Sequence, residues 1–378
     1  MATIARVKTT DHRSRLFLAF KLIAMLLSLL IGLTVAVIYL LWSDPVPHRP
    51  ATPILRTAEE WSAFVEQRYP TVNFQGIYPE RSPQEIATIQ RETFSLQYAY
   101  APFVQFQARP VQRQHVNISK AGFRANGSPL AWPPDTNHLN IFIFGGSTTF
   151  GYGLPDDETL VHFLERALNR NPRSTLISCY NFGCGYYFST QERLHLELLL
   201  QQNHVPDVAV FIDGLNEFSH ADGAPQLTES LHNFVTPDSP YVSPHLVTNK
   251  ASLELAINRV LDSYAGSLRI INALAQAFDF EALFIGQPVP FFEFGPTAEA
   301  YPFGDPPMHF LACAHGYPEF RRRADNGEFG NRFVWMGDTF VAANQPVYCE
   351  AVHYSAAGSR MLGERIANKI KHMLPIDE

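Results

Sequence analysis

The sequence predicts an α/β protein in which a parallel sheet is covered by helices on both faces, preceded by one N-terminal transmembrane helix. Three observations predict it. From residue 139 onward, apolar runs alternate with amphipathic stretches, the pattern of strands joined by crossover helices. Chemically notable residues fall just past the ends of those runs, where sites of parallel sheets lie. Leu22 to Trp42 is an uncharged stretch of 21 residues, which at ~1.5 Å per residue spans roughly 31 Å, the thickness of a hydrocarbon core.

The N-terminal elements come first. Arg6, Lys8, Arg13, Arg15 and Lys21 face one acid, Asp11, ahead of the apolar stretch. The positive-inside rule puts that end in the cytoplasm and residues 44–378 across the inner membrane, in the periplasm or outside the cell. Tyr39 and Trp42 stand where interfacial aromatics belong. A cleaved signal peptide has an apolar region of about 7–15 residues and small residues at its cleavage site. This stretch is longer and runs into Trp42-Ser43-Asp44-Pro45, which favours an uncleaved anchor. The chain carries a formal net charge of −7 over 378 residues, and its first 21 residues carry +4, so the rest carries −11. A surface that acidic excludes nucleic acid as the main partner.

Pro45, Pro47, Pro50 and Pro53 mark a stiff linker. A short helix is expected over 57–66, around Trp61 and Phe64. Residues 67–135 show no long periodic segment and read as an extension packed on the main domain. The organisation is thus an anchor over 1–43, a linker and extension over 44–135, and a main domain over 136–378. Within the last, strands are expected at 139–145, 176–182, 207–213, 281–287 and 332–336, and helices at 157–170, 189–203, 250–277 and 355–373. In the helix at 250–277, Leu253, Ile257, Val260, Leu261, Tyr264, Leu268 and Ile271 recur at helical spacing. Segments 217–249 and 288–331 are rich in Pro, Gly, His and aromatics and read as walls or lids.

The first expected strand ends on Gly145-Gly146-Ser147-Thr148-Thr149-Phe150-Gly151. Glycines ahead of a serine let the chain turn sharply and leave room for a substrate carbonyl. A serine hydroxyl becomes a nucleophile once a base takes its proton. Near the C-terminus, Glu350-Ala351-Val352-His353 supplies a histidine and a carboxylate on one turn. A Glu350 hydrogen bond to His353 Nδ1 would leave Nε2 facing Ser147 Oγ at about 2.6–3.2 Å. Asp338, after the last expected strand, is a fallback acid. Between these blocks stand Asn181-Phe182-Gly183-Cys184-Gly185 and Asp213-Gly214-Leu215-Asn216-Glu217.

These four blocks, in this order, resemble the SGNH (GDSL-type) hydrolases. Asn117-x-x-x-x-Gly122-Phe123-Arg124, Thr148-Thr149-Phe150-Gly151 and Ser189-Thr190-Gln191-Glu192 look like a bacterial membrane-anchored branch of that family. The resemblance covers about residues 117–373. It implies a three-layer, flavodoxin-like α/β/α fold and a catalytic triad of Ser147, His353 and Glu350. It also implies an oxyanion hole made by the Ser147 and Gly185 N–H groups and the Asn216 side chain, with Gly183 the other candidate in block two. Two positions depart from the family. Glu350 stands where Asp is usual, and Gly146 stands where Gly-Asp-Ser has its Asp. The implied activity is that of a membrane-anchored serine esterase or O-acyltransferase on O-acyl groups of envelope glycans or lipids. The alternative is a non-catalytic module of the same fold that binds glycan or a membrane partner.

Cys179, Cys184, Cys313 and Cys349 follow the membrane stretch, so they are either disulfides or buried thiols. His309, Cys313 and His315 are close in sequence but fall short of a zinc ligand set. No phosphate-binding loop and no dinucleotide fingerprint is present, and no cofactor is expected.

Overall fold

The computed structural model describes residues 17–23, 25–28, 34, 72–171, 175–220, 224–236, 250–294, 301, 303 and 311–373. Contacts divide the chain into two units, 1–54 and 55–378. In the first, residues 17–23, 25–28 and 34 are helical and exposed. Most of the expected span Leu22–Trp42 lies outside the described residues, as does the expected helix over 57–66. Among the described residues, no helix is long and apolar enough to cross a membrane.

The second unit is built on a five-stranded parallel sheet. Its strands are β5 (Leu139–Gly145), β6 (Ile177–Asn181), β7 (Val208–Asp213), β8 (Glu281–Gly286) and β9 (Phe333–Trp335), in spatial order β6-β5-β7-β8-β9. The order reverses after β6, which places a switch point beside β5, where ligands of such sheets bind. Side chains alternate along each strand, so one face carries Phe142, Phe144, Phe211 and Phe284 and the other Ile141, Ile143, Val210 and Ile285. Both faces are buried, which is why these strands are apolar almost throughout.

The aliphatic face is covered by two helices, Leu160–Leu168 and Ala356–Met373. The first is capped by Thr159, whose hydroxyl accepts from His162 N–H at 3.2 Å. The aromatic face is covered by Ser189–Gln201, Lys250–Phe278 and Leu311–Asp325. A mixed α/β fold with five parallel strands between helices fits the expected three-layer arrangement.

Two expectations are corrected. Segment 288–331 is not loop throughout. Leu311–Asp325 is a helix whose Cys313, Tyr317 and Phe320 are buried in the aromatic core, with the Tyr317 hydroxyl donating to the Gln287 carbonyl at 3.0 Å. Pro318 inside it hid the helix from a pattern reading. Likewise 67–135 is not featureless. Pro83–Phe94 is a helix opened by a capping box, Ser82 with Glu85, with Pro at its first turn. Hairpin strands β1 (Tyr98–Ala101) and β2 (Gln105–Ala108) follow it, and β3 (Val111–Gln112) pairs with β4 (Asn117–Ile118). All four cysteines are buried free thiols, which selects that alternative over disulfides.

Candidate active site

Ser147 is the first residue of a four-residue helix, Ser147–Phe150, entered directly from β5 through Gly146. Helix Leu215–Ser219 leaves β7 in the same way, and His353 lies on the turn before Ala356–Met373. Three segments far apart in sequence therefore meet at the carboxyl end of the sheet.

His353 Nε2 lies 2.7 Å from Ser147 Oγ, a hydrogen-bond distance. On the other side of the ring, Nδ1 is 2.5 Å from Glu350 Oε1. That ring N–H is not aimed at the oxygen well enough for a hydrogen bond. Glu350 and His353 are thus in close contact, without the N–H alignment of the expected hydrogen bond. The same oxygen accepts from the N–H groups of Val352 at 2.9 Å and His353 at 3.0 Å. Burial pushes the Glu350 carboxyl up, but His353 and the two backbone donors outweigh it and leave it at about 2. A group held that firmly as a carboxylate can orient an imidazole and balance its charge. Asp338 is elsewhere, paired with Arg365 Nη1 at 2.7 Å near the surface.

The oxyanion candidates lie around the end of β5, where the Cys184 N–H donates to the Gly145 carbonyl at 2.9 Å and Asn216 packs against Gly146. The N–H groups of Ser147 and Gly185 have no acceptor among the described residues. Gly183 is different, since its N–H donates to Asn181 Oδ1 at 3.0 Å. Of the two glycines, only Gly185 keeps a free donor. Asn216 Nδ2 donates to the Tyr187 carbonyl at 2.7 Å, which fixes the amide and leaves its second hydrogen. Gly146 explains its own departure from the family pattern. A Cβ there would overlap Asn216 Nδ2 and stand 3.1 Å from the Tyr187 carbonyl. Asn216 packs against the backbone where the usual Asp side chain would begin.

Other residues at the site were given no role in the sequence reading. Arg124 is fully buried, and its guanidinium donates to Asp156 Oδ1 at 2.9 Å and to the carbonyls of Phe150, Gly151 and Leu154 at 2.9, 2.7 and 2.6 Å. Asn117 Nδ2 donates to the other Asp156 oxygen at 2.7 Å. The Asn117…Arg124 motif thus braces the turn just after Ser147, and its spacing was the signal that could have disclosed this. Tyr152 and Phe94 pack their rings against His353 at 5.2 and 5.7 Å between centroids. The Tyr98 and Tyr152 hydroxyls touch each other and close on the side of Gly185 that a side chain would occupy. The extension therefore supplies two walls of the site, Phe94 and Tyr98. No group among the described residues could hold a metal ion, and His309 lies outside them.

No family model matches the chain, and no curated protein matches it in sequence. Solved structures similar to it include an acetyl xylan esterase, 15% identical over 61% of this chain and 100% of that one, with a TM-score of 0.39. A carbohydrate acetylesterase from Sinorhizobium meliloti is 13% identical over 62% of this chain and 99% of its own, with a TM-score of 0.37. A lipolytic protein of the G-D-S-L family from Desulfitobacterium hafniense is 11% identical over 61% and 99%, also at 0.37. Likeness of this size does not carry activity or substrate from those proteins to this chain.

Proposed function

We propose that the chain is a serine esterase of the SGNH type, anchored to the inner membrane by one N-terminal helix. The observation that carries the reading is the line Glu350–His353–Ser147, closed at 2.5 and 2.7 Å. His353 Nε2 takes the Ser147 proton as Oγ attacks an ester carbonyl. The oxygen that gains charge is held by the Ser147 and Gly185 N–H groups and by Asn216. His353 then gives its proton to the departing alkoxide, leaving an acyl-serine. Water, activated by the same histidine, releases the acid and restores Ser147. A sugar hydroxyl in place of water would make the same site an O-acyltransferase. The substrate class that suits an exported, acidic domain is O-acyl groups on envelope glycans or lipids.

Labelling tests the chemistry. A fluorophosphonate should react with the protein at Ser147, and Ser147→Ala should abolish both labelling and short-chain ester hydrolysis without unfolding the domain. Undiminished turnover in that variant would remove Ser147 from the reaction. The anchor rests on the uncharged Leu22–Trp42 stretch and its flanking bases. A reporter active only after export, fused at Glu378, should be active. Activity confined to a cytoplasmic reporter would reverse the orientation.

A further inference from the structure

Behind the oxyanion hole lie three carboxyl groups that the reaction above does not use. Glu192, Asp213 and Glu217 are 1%, 3% and 5% exposed. They come from the helix after block two, the end of β7 and the helix after it. Glu217 ties those pieces together. Its two oxygens accept from the Ser189 N–H at 2.8 Å and the Gly214 N–H at 2.7 Å. Ser189 ends the loop that carries Gly185, and Gly214 begins the turn that carries Asn216. One carboxyl thus pins both oxyanion segments to each other.

The other two groups have no backbone donor and no cation. No well-directed N–H or O–H reaches either oxygen of Glu192 or Asp213; the Tyr264 hydroxyl lies within reach of Asp213 but without the alignment of a full hydrogen bond. Glu192 and Asp213 lie within hydrogen-bonding reach of each other. The groups facing the cluster are Tyr264 from the long helix, Cys313 and Tyr317 from Leu311–Asp325, and Cys184 and Tyr187 from the block-two loop. None of them is a cation. His195, one turn along from Glu192, is buried and held neutral, down at about 4. Arg193 is engaged with Glu197. Three ionised carboxylates cannot share such a space without a counter-charge. A protonated carboxyl, by contrast, donates to its neighbour and satisfies both.

We propose that Glu192, Asp213 and Glu217 form a proton-holding carboxyl cluster whose members are positioning residues for the oxyanion hole. Glu192 and Asp213 share protons, and that lets Glu217 keep its two backbone bonds and hold Gly185 and Asn216 in register. Ionising the pair drives like charges against Glu217 and loosens both segments. The role rests on the oxyanion reading of Gly185 and Asn216; the protonation state does not.

Burial first, and then the neighbouring acids, push Glu192 and Asp213 well above the usual carboxyl range. A carboxyl raised by folding favours the folded state at low pH, and that contribution is lost as pH rises from the ordinary value near 4 through the raised one. Two measurements follow. Infrared spectra of the whole protein at pH 7 should show protonated carboxyl absorption that weakens in both Glu192→Gln and Asp213→Asn. Thermal unfolding of the same variants should fall less with rising pH than in the parent. If esterase activity is present, the alkaline fall in kcat should flatten in the variants while KM stays within about twofold. No protonated band in the parent, or an unchanged alkaline slope in both variants, would overturn the cluster. If no ester is turned over, the infrared band and unfolding slopes still decide it. Should either variant fail to fold, the parent spectrum alone does so.

Discussion

Two sets of carboxyls lie toward the carboxyl end of the sheet, the half-buried Glu350 and the buried Glu192 and Asp213, and the fold treats them in opposite ways. Glu350 is driven down to about 2, although burial alone would raise it. Glu192 and Asp213 are driven up. The difference lies in donors. Glu350 sits beside an imidazole and accepts two backbone N–H groups, so charge is the cheaper state there. Glu192 and Asp213 have each other and the Tyr264 hydroxyl within reach but no cation and no backbone N–H, so the proton stays. A third solution is nearby. Asp156 is buried, and burial raises it although Arg124 and Asn117 supply donors and a cation. Residue type does not set the state of these acids: burial raises Asp156 and Glu217 despite their donors, and Glu350, beside His353 with two backbone N–H groups, is brought below the ordinary range.

The largest expected effect tests the ionised side. Glu350→Gln should keep the fold and lower kcat by about 10²–10⁴-fold, because the imidazolium formed during attack loses its counter-charge. Steady-state kinetics on a short-chain ester checks it. The parent should also lose stability at acid pH. A carboxyl depressed by folding contributes above its ordinary value near 4, and this contribution disappears as pH falls through about 2. Acid unfolding of Glu350→Gln should lack that component. A variant with full activity would leave a Ser–His pair sufficient by itself.

Next in size is the ion pair behind the nucleophile turn. Arg124→Met leaves Asp156 buried without its cation and removes one donor from each of three carbonyls. Breaking a buried pair from one side costs about 3–5 kcal/mol, which denaturant titration reads directly. Loss within experimental error of zero would show that Asp156 carries its proton in the folded protein.

Legibility follows the same physics. The sheet could be read because both its faces are buried, and runs such as Ile141-Phe142-Ile143-Phe144 leave few alternatives. Ser147, Asn216 and His353 were legible because strand ends and spacing mark them. Leu311–Asp325 was not, because Pro318 breaks a helical pattern that core packing around Tyr317 and Phe320 nevertheless supports. Pro83–Phe94 was announced by its capping box and passed over for want of a long apolar stripe. Arg124, Phe94 and Tyr98 needed the fold, since nothing local shows that they meet block one, His353 and Gly185. The carboxyl cluster was equally hidden. Glu192 and Glu217 stood inside recognised blocks, but their burial together depends on how helices over one face of the sheet converge.

The smallest expected effect concerns the acid that is not chosen. Asp338 follows β9 at the same end of the sheet as His353, and position alone would permit either acid to serve the histidine. Its partner is Arg365, 2.7 Å away, and both side chains are substantially exposed. Water screens such a pair, and its loss costs about 0.2–1 kcal/mol. Asp338→Asn should therefore leave kcat and KM unchanged and lower the unfolding midpoint only slightly, in contrast to Glu350→Gln. A rate loss comparable to that of Glu350→Gln would mean that His353 turns to Asp338 when substrate is bound. The close contact at Glu350, whose N–H direction is imperfect, would then be a resting arrangement of the histidine.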